Sequence, residues 1–200
     1  MKLLLFSDLH TSRERAEDLV RRAPDFDVLV GAGDFASQRR NLSVCVDILK
    51  AVHKPTVVVA GNNESTEELR AACRGWSAVA ILHGSGVEID GQPFYGLPGG
   101  VPVTPFGAWS YDFPEEDAAA MLAELPPGAV LITHSPPKGA ADRDSSGRSM
   151  GSTAVRDAVL RSQPKLVVCG HIHASWGEQE TLGGSTVINA GPMGVAWDLV

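Results

Sequence analysis

The stretch Leu166-Val167-Val168-Cys169-Gly170-His171-Ile172-His173 decides how the rest of the chain is read. Four apolar residues suited to a buried strand run directly into a glycine and two imidazoles one residue apart. Paired imidazoles in an otherwise apolar segment are characteristic of metal ligation. Moving outward, the same pattern repeats four times. Leu3-Leu4-Leu5-Phe6 leads to Asp8-Leu9-His10, Val28-Leu29-Val30 to Gly33-Asp34, and Val57-Val58-Val59 to Gly61-Asn62-Asn63-Glu64. Val130-Leu131-Ile132 leads to Thr133-His134. Carboxylates, an amide and imidazoles stand where α/β sheets place their ligand sites, at the carboxyl ends of strands. Oxygen and nitrogen donors without thiolate suit hard or borderline divalent metals.

Each block taken alone has an ordinary structural reading. Asp8 could cap a helix, Asp34 and Asn62 could serve turns, and His134 could be a polar strand-end residue. Jointly they point to a metal site, because four of the six histidines, His10, His134, His171 and His173, fall within the blocks. Asp8 and His10 lie two apart, which at the end of a strand would direct both side chains to one side. The other two histidines have structural settings: His53 at a helix end before Lys54-Pro55, and His83 at a strand-to-turn junction.

The series D-x-H, GD, GN, TH, GH-x-H, in this order from Asp8 to His173, resembles the calcineurin-like metallophosphoesterase superfamily. The resemblance implies a four-layer α/β/β/α sandwich of two mixed β-sheets flanked by helices, and two divalent metal ions. One ion would be held by Asp8, His10, Asp34 and His173, the second by Asp34, Asn62, His134 and His171, with Asp34 bridging. Such a pair, about 3.5–4 Å apart, lowers the pKa of a bridging water and clamps a phosphoryl group. Manganese, iron or zinc all suit this donor set. The implied activity is phosphodiester hydrolysis by a metal-bridging hydroxide, with His10, Asp34 and Asn63 as catalytic residues. Asn63 departs from the family's commoner pattern, in which a histidine follows G-N. An amide donates a hydrogen bond but is no general acid near neutral pH. A phosphomonoesterase of the same fold is the nearest alternative, and a non-catalytic protein-interaction scaffold with an eroded site is the alternative from another class. All seven ligand positions carry competent residues, which argues against erosion.

The surrounding sequence fits a single domain over residues 1–200. The chain is 44% hydrophobic and 20% charged, as in ordinary globular proteins. A net charge of −7 leaves no basic stripe for extended nucleic-acid binding; the partner the resemblance implies is a small phosphate ester, with a nucleotide among the candidates. The apolar start at Met1–Phe6 is too short for a signal peptide, and no segment approaches the ~18 apolar residues of a membrane span. Cys45, Cys73 and Cys169 lack C-x-x-C spacing and read as reduced, buried thiols, so the expected compartment is the cytoplasm. Oligomeric state stays open.

The first third alternates strand and helix: strands at 2–7, 27–31 and 56–60, helices near 13–23, 41–51 and 65–73. This implies right-handed βαβ units and a largely parallel sheet. Short strands at Val79–Leu82, Val87–Ile89 and Pro93–Tyr95 read as hairpins punctuated by Gly84, Gly86 and Asp90-Gly91. Pro114 opens a helix, followed by a strand at 129–133, a helix near 152–162 capped by Ser152 or Thr153, and a strand at 165–169. A hairpin across Gly183-Gly184 and a final strand over Val195–Val200 complete the chain. In the long loop Ser135–Ser149, Arg143 and Arg148 are candidates for holding a phosphate. Trp109 and Tyr111 are candidates for an aromatic wall against a nucleobase.

Overall fold

The computed structural model describes residues 1–200, which form two mixed β-sheets flanked by five helices. The first sheet contains β1 (Lys2–Phe6), β2 (Val28–Gly31), β3 (Thr56–Val58), β4 (Val79–Ile81) and β11 (Val195–Asp198), in the order β11-β1-β2-β3-β4. The second contains β5 (Ser85–Ile89), β6 (Gln92–Leu97), β7 (Val130–Thr133), β8 (Leu166–Cys169), β9 (Gln179–Leu182) and β10 (Ser185–Asn189), in the order β5-β6-β7-β8-β10-β9. Helices α1 (Arg13–Arg22), α2 (Leu42–Leu49) and α3 (Thr66–Ala72) follow the first three strands, while α4 (Glu115–Met121) and α5 (Thr153–Ser162) belong to the second half.

The period-2 geometry of strands explains why these runs are apolar throughout: β2, β3, β7, β8 and all but the first residue of β1 are covered on both faces. Leu3, Leu5, Val28, Val30, Val57 and Val59 of the first sheet share one buried cluster with Phe94, Val130, Ile132, Leu166, Val168 and Ile188 of the second. Their neighbours Leu4, Phe6, Leu29 and Val58 turn outward to Leu19, Cys45, Leu49 and Leu69. Tyr95, Leu131, Val167 and Val187 turn outward to Ala118, Leu122, Val155 and Val159. Three apolar layers therefore separate four layers of secondary structure, the expected α/β/β/α sandwich.

Helix ends follow the local chemistry. Ser65 and Glu68 form a reciprocal capping box at α3, and Ser152, not Thr153, caps α5 by accepting from Val155 N–H at 3.1 Å. Glu115 of α4 braces the same end of α5, accepting from Ser152 Oγ, Thr153 N–H and Ala154 N–H at 2.7, 2.9 and 2.8 Å.

Two expectations change. Of the three middle strands, only β5 and β6 form a hairpin, closed at Asp90-Gly91 with both φ angles positive, at 50° and 79°. β4 instead runs parallel to β3 in the first sheet, so Gly84–Gly86 lies at the crossing from one sheet to the other. Second, β1 ends at Phe6, so Asp8 and His10 lie in a loop, with φ of 55° and 42°. Their common direction comes from this left-handed backbone, held by Asp8 N–H to Gly33 O and His10 N–H to Asp34 O at 2.9 Å each. Strand alternation plays no part there.

Candidate metal centre

The carboxyl ends of β1, β2 and β3 meet those of β7, β8 and β10 along one rim, and hydrogen bonds lock the two sheets together at that level. Ser7 N–H reaches Gly191 O at 3.1 Å, and the Nδ1 atom of buried His134 lies 2.8 Å from Ala32 O. All seven expected ligands converge here. His10 Nε2 and His173 Nε2 are 3.2 Å apart. Asp8 Oδ1 lies 3.7 Å from the His173 nitrogen and 4.0 Å from that of His10, and Asp34 Oδ2 lies 3.5 Å from His10 Nε2. On the other side of Asp34, its Oδ1 is 3.4 Å from His134 Nε2. Asn62 Oδ1 is 3.0 Å from that nitrogen and 3.1 Å from His171 Nδ1.

Donors about 2.1 Å from one ion lie roughly 3.0–3.4 Å apart at neighbouring vertices. Both clusters have spacings of that order, and each lies beside a different oxygen of Asp34. The donor atoms of Asp8, His10 and His173 lie within 4.8 Å of one another, as do those of Asp8, Asp34 and His134, so Asp8 lies within reach of both groups. The residues present fit divalent ions.

Outer contacts aim these donors. His10 Nδ1 lies 3.2 Å from Ala36 O, which leaves Nε2 facing the site. Asp8 Oδ2 accepts from Ser7 Oγ at 2.5 Å and from Trp176 Nε1 at 3.1 Å, leaving Oδ1 inward. Asn62 Nδ2 donates to Ser110 Oγ at 2.9 Å, so its carbonyl oxygen points to the imidazoles. Asn189 Nδ2 reaches Gly170 O at 3.2 Å and Ile172 O at 3.1 Å, latching the loop of His171 and His173. Glu64, fully buried, accepts from Gly61 N–H and Asp34 N–H at 2.8 Å and from Ala36 N–H at 2.9 Å, tying the GD and GN turns together. A side chain at Gly61 would collide with Asp34 and one at Gly170 with Asp8, so these glycines exist for close approach.

Charge is shared unevenly. Burial opposes ionisation of Asp34, but His134, His10 and the Asn63 N–H outweigh it and hold the carboxyl well below its usual range. Burial likewise opposes protonation of His134, yet Asp34 beside it raises that imidazole to about 9. Burial and the neighbouring His134 push His171 down to about 3, leaving it neutral, the ligating form. Burial and the charge of Asp34 lift Glu64 to about 7, against the pull of its backbone donors.

Several expected residues sit differently from their anticipated tasks. Asn63 lines the cleft, but its amide is already occupied: Nδ2 donates to Asp34 Oδ2 at 2.6 Å, and Oδ1 accepts from Gln38 N–H at 2.7 Å. Arg143 and Arg148 do not line the cleft. Arg143 bonds Gly147 O at 3.1 Å and Arg148 bonds Asp144 at 2.9–3.0 Å, because the turn at 144–147 closes upon itself. Trp109 lines the cleft; Tyr111 does not, packing edge-on against Phe113 at 4.9 Å. His53 is exposed and His83 sits 3.0 Å from Thr66 Oγ1, both outside the cleft.

Sequence reading missed Glu64, Ser110, Trp176 and Asn189. Asn189 had a visible signal, since Val187-Ile188-Asn189-Ala190-Gly191 repeats the pattern of an apolar strand ending in a polar residue. Trp176 and Ser110 had none, being brought to the rim by loops.

Imidazoles, carboxylates and an amide gather beyond strand ends, with one aspartate between two donor clusters, a donor set suited to divalent ions. The chain belongs to the calcineurin-like phosphoesterase family, whose model matches residues 1–175. It is 30% identical over 214 aligned residues to UPF0046 protein K07C11.7 of Caenorhabditis elegans, an alignment covering 95% of this chain and 69% of that protein. Its fold is similar to TT1561 of Thermus thermophilus, with TM-score 0.76 and 20% identity over 95% of this chain and 88% of that one. It is also similar to purple acid phosphatase PPD1 from yellow lupin seeds, with TM-score 0.56 and 11% identity over 97% and 44% of the two chains. No helix is long and apolar enough to cross a membrane.

Proposed function

We propose that residues 1–200 act as one domain that binds two divalent ions and hydrolyses phosphodiesters in preference to phosphomonoesters. The observation that carries this reading is the pair of donor clusters on either side of Asp34, one at His10 and His173, the other at Asn62, His134 and His171. Manganese, iron or zinc, when bound, would activate water and offset charge on the phosphoryl oxygens. The chain's own contribution is placement. Buried Asp8, Asp34, Asn62 and His134 are fixed by backbone and side-chain partners before any ligand arrives, so little reorganisation is left to the reaction.

The preference for diesters rests on the walls of the cleft. No lysine or arginine lines it, so nothing there beyond the ions would balance the second charge of a monoester dianion. The amide of Asn63 can donate a hydrogen bond but no titrating proton, which favours esters whose departing oxygen needs little protonation. His10, partly exposed in the cleft, would serve as a ligand, with Nδ1 against Ala36 O and Nε2 toward the site. Three buried cysteines without a disulfide support a reducing, cytoplasmic setting; burial lifts the Cys45 thiol to about 12, so it is inert.

The test is metal content together with turnover. Protein purified without chelator should carry about two ions per chain and hydrolyse bis(p-nitrophenyl) phosphate faster than p-nitrophenyl phosphate. Asp34→Asn should lose bound metal and at least ~100-fold in kcat/KM while keeping its circular dichroism spectrum. Full activity in excess chelator sinks the metal reading, and a monoester preference sinks the diester reading alone.

A further inference from the structure

Beside the candidate ligands, the cleft of about 570 Å³ has a wall of a different character. Val103, Phe106 and Met150 line it and are 60%, 51% and 45% exposed, three of the seven large hydrophobic side chains that the whole chain leaves in water. Trp109 completes the wall, its ring parallel to that of Phe106 within 9° at a centroid separation of 5.7 Å. An apolar surface gathered at one place marks a binding face.

The loop of Phe106 and Trp109 is also tied by hydrogen bonds to a candidate ligand. Asp112 accepts from Thr104 N–H at 2.9 Å, Thr104 Oγ1 at 2.6 Å and Ser110 Oγ at 2.8 Å, which closes the loop carrying Phe106 and Trp109. The same Ser110 hydroxyl accepts from Asn62 Nδ2 at 2.9 Å. One hydrogen-bond network therefore fixes the distance from a candidate ligand to the aromatic pair. Thr104 is occupied within that network, so the loop offers flat apolar faces and few free groups to read a ligand's edge.

We infer that Val103, Phe106, Trp109 and Met150 form the specificity wall of the site and receive a planar aromatic arm of the substrate's phosphoester. This rests on the phosphoesterase reading and adds the class of ester. The recognised species is a monoanionic ester with one flat, uncharged arm, either an aryl group or a nucleobase, held by its face.

The test uses three monoanionic methylphosphonate esters that share one phosphonate group and differ in their single arm: methyl, 2-naphthyl and adenosin-5′-yl. Binding to the Mn²⁺-loaded protein is measured by calorimetry, alongside turnover of bis(p-nitrophenyl) phosphate. The naphthyl ester should bind at least ~10-fold more tightly than the methyl ester, as burial of an aromatic face predicts. Phe106→Ala and Trp109→Ala should each compress that ratio to within about threefold, while Trp109→Phe should keep most of it. Both positions lie on a partly exposed loop, so these substitutions test the wall without emptying the core. An adenosyl arm that binds like naphthyl supports the inference with a nucleobase as the natural arm; an advantage for naphthyl alone supports it with an aryl group. Equal affinity for all three arms, or a ratio untouched by both alanine variants, overturns it. Turnover of bis(p-nitrophenyl) phosphate with no dependence of binding on the arm refutes this inference alone, whereas absence of turnover with the binding pattern intact refutes the phosphoesterase reading alone.

Discussion

At Asn63, one side chain carries both a structural and a chemical consequence. Its amide clamps Asp34 Oδ2 at 2.6 Å and is itself held by Gln38 N–H, so it sets the angle of the residue shared by both donor clusters. What it lacks is a proton that titrates near neutrality. Asn63→His should therefore raise kcat/KM for an alkyl phosphomonoester relative to an aryl diester, measured with one metal in both proteins. If the ratio does not move, position 63 acts only through Asp34. The backbone nearby shows what such placement costs. Asp8, His10, Asp34 and His171 all have φ between 42° and 66°, a region that a β-carbon disfavours by roughly 1–2 kcal/mol. Four candidate ligands in that region mean that local backbone comfort yields to side-chain direction, at the residues where a ligand could offset the strain.

Among the elements, the end of α5 is the clearest case of one helix completing another. α5 carries no acidic residue in its own first turn, and Glu115 from α4 supplies the missing carboxylate to Ser152, Thr153 and Ala154. Glu115→Ala should destabilise the protein by about 1 kcal/mol, a value typical for a lost helix cap. Partial burial disfavours the charged form of Glu115, but the donors on α5 outweigh it and hold its pKa below the ordinary carboxylate value. A carboxyl group lowered on folding stabilises the native state above its unfolded pKa, and that contribution fades as pH falls through the folded value. The difference between wild type and Glu115→Ala in urea unfolding should thus be full at pH 7 and shrink toward pH 3. A difference that is flat across that range would show packing, not charge, at this joint. The helices themselves were legible from Pro114 and from Ser152 or Thr153; that Glu115 serves a helix 38 residues away was not, because no local pattern encodes a contact between elements.

For the whole molecule, the rim where both sheets end is also where metal would cross-link them. The candidate ligands come from loops after five strands, three in the first sheet and two in the second. Ions that bind only this assembled rim stabilise the fold by mass action, about 2.7 kcal/mol at a hundredfold excess over Kd. In a protein of this size that corresponds to a melting temperature higher by roughly 5–10 °C. Adding Mn²⁺ to chelator-treated protein should produce such a shift, and Asp34→Asn should largely abolish it. An equal shift in both proteins would place the stabilising ion elsewhere.

The sequence by itself determined the layering and the kinds of polar residue that gather at the rim. A strand covered on both faces must be apolar at every position, and the polar residues that end such strands must gather at one rim, so the blocks from Asp8 to His173 could be read without coordinates. Only the tertiary structure decided which donors face one another, that β4 joins β3, and that Arg143 and Arg148 turn away from the cleft. It alone also brought Glu64, Ser110, Trp176 and Asn189 to their posts. The physical reason is the range of the interactions. Hydrophobic period and turn chemistry act over a few residues and leave their mark in the order of the chain. A hydrogen bond such as Trp176 Nε1 to Asp8 Oδ2, across 168 residues, depends on two loops meeting in space and leaves no mark in either segment.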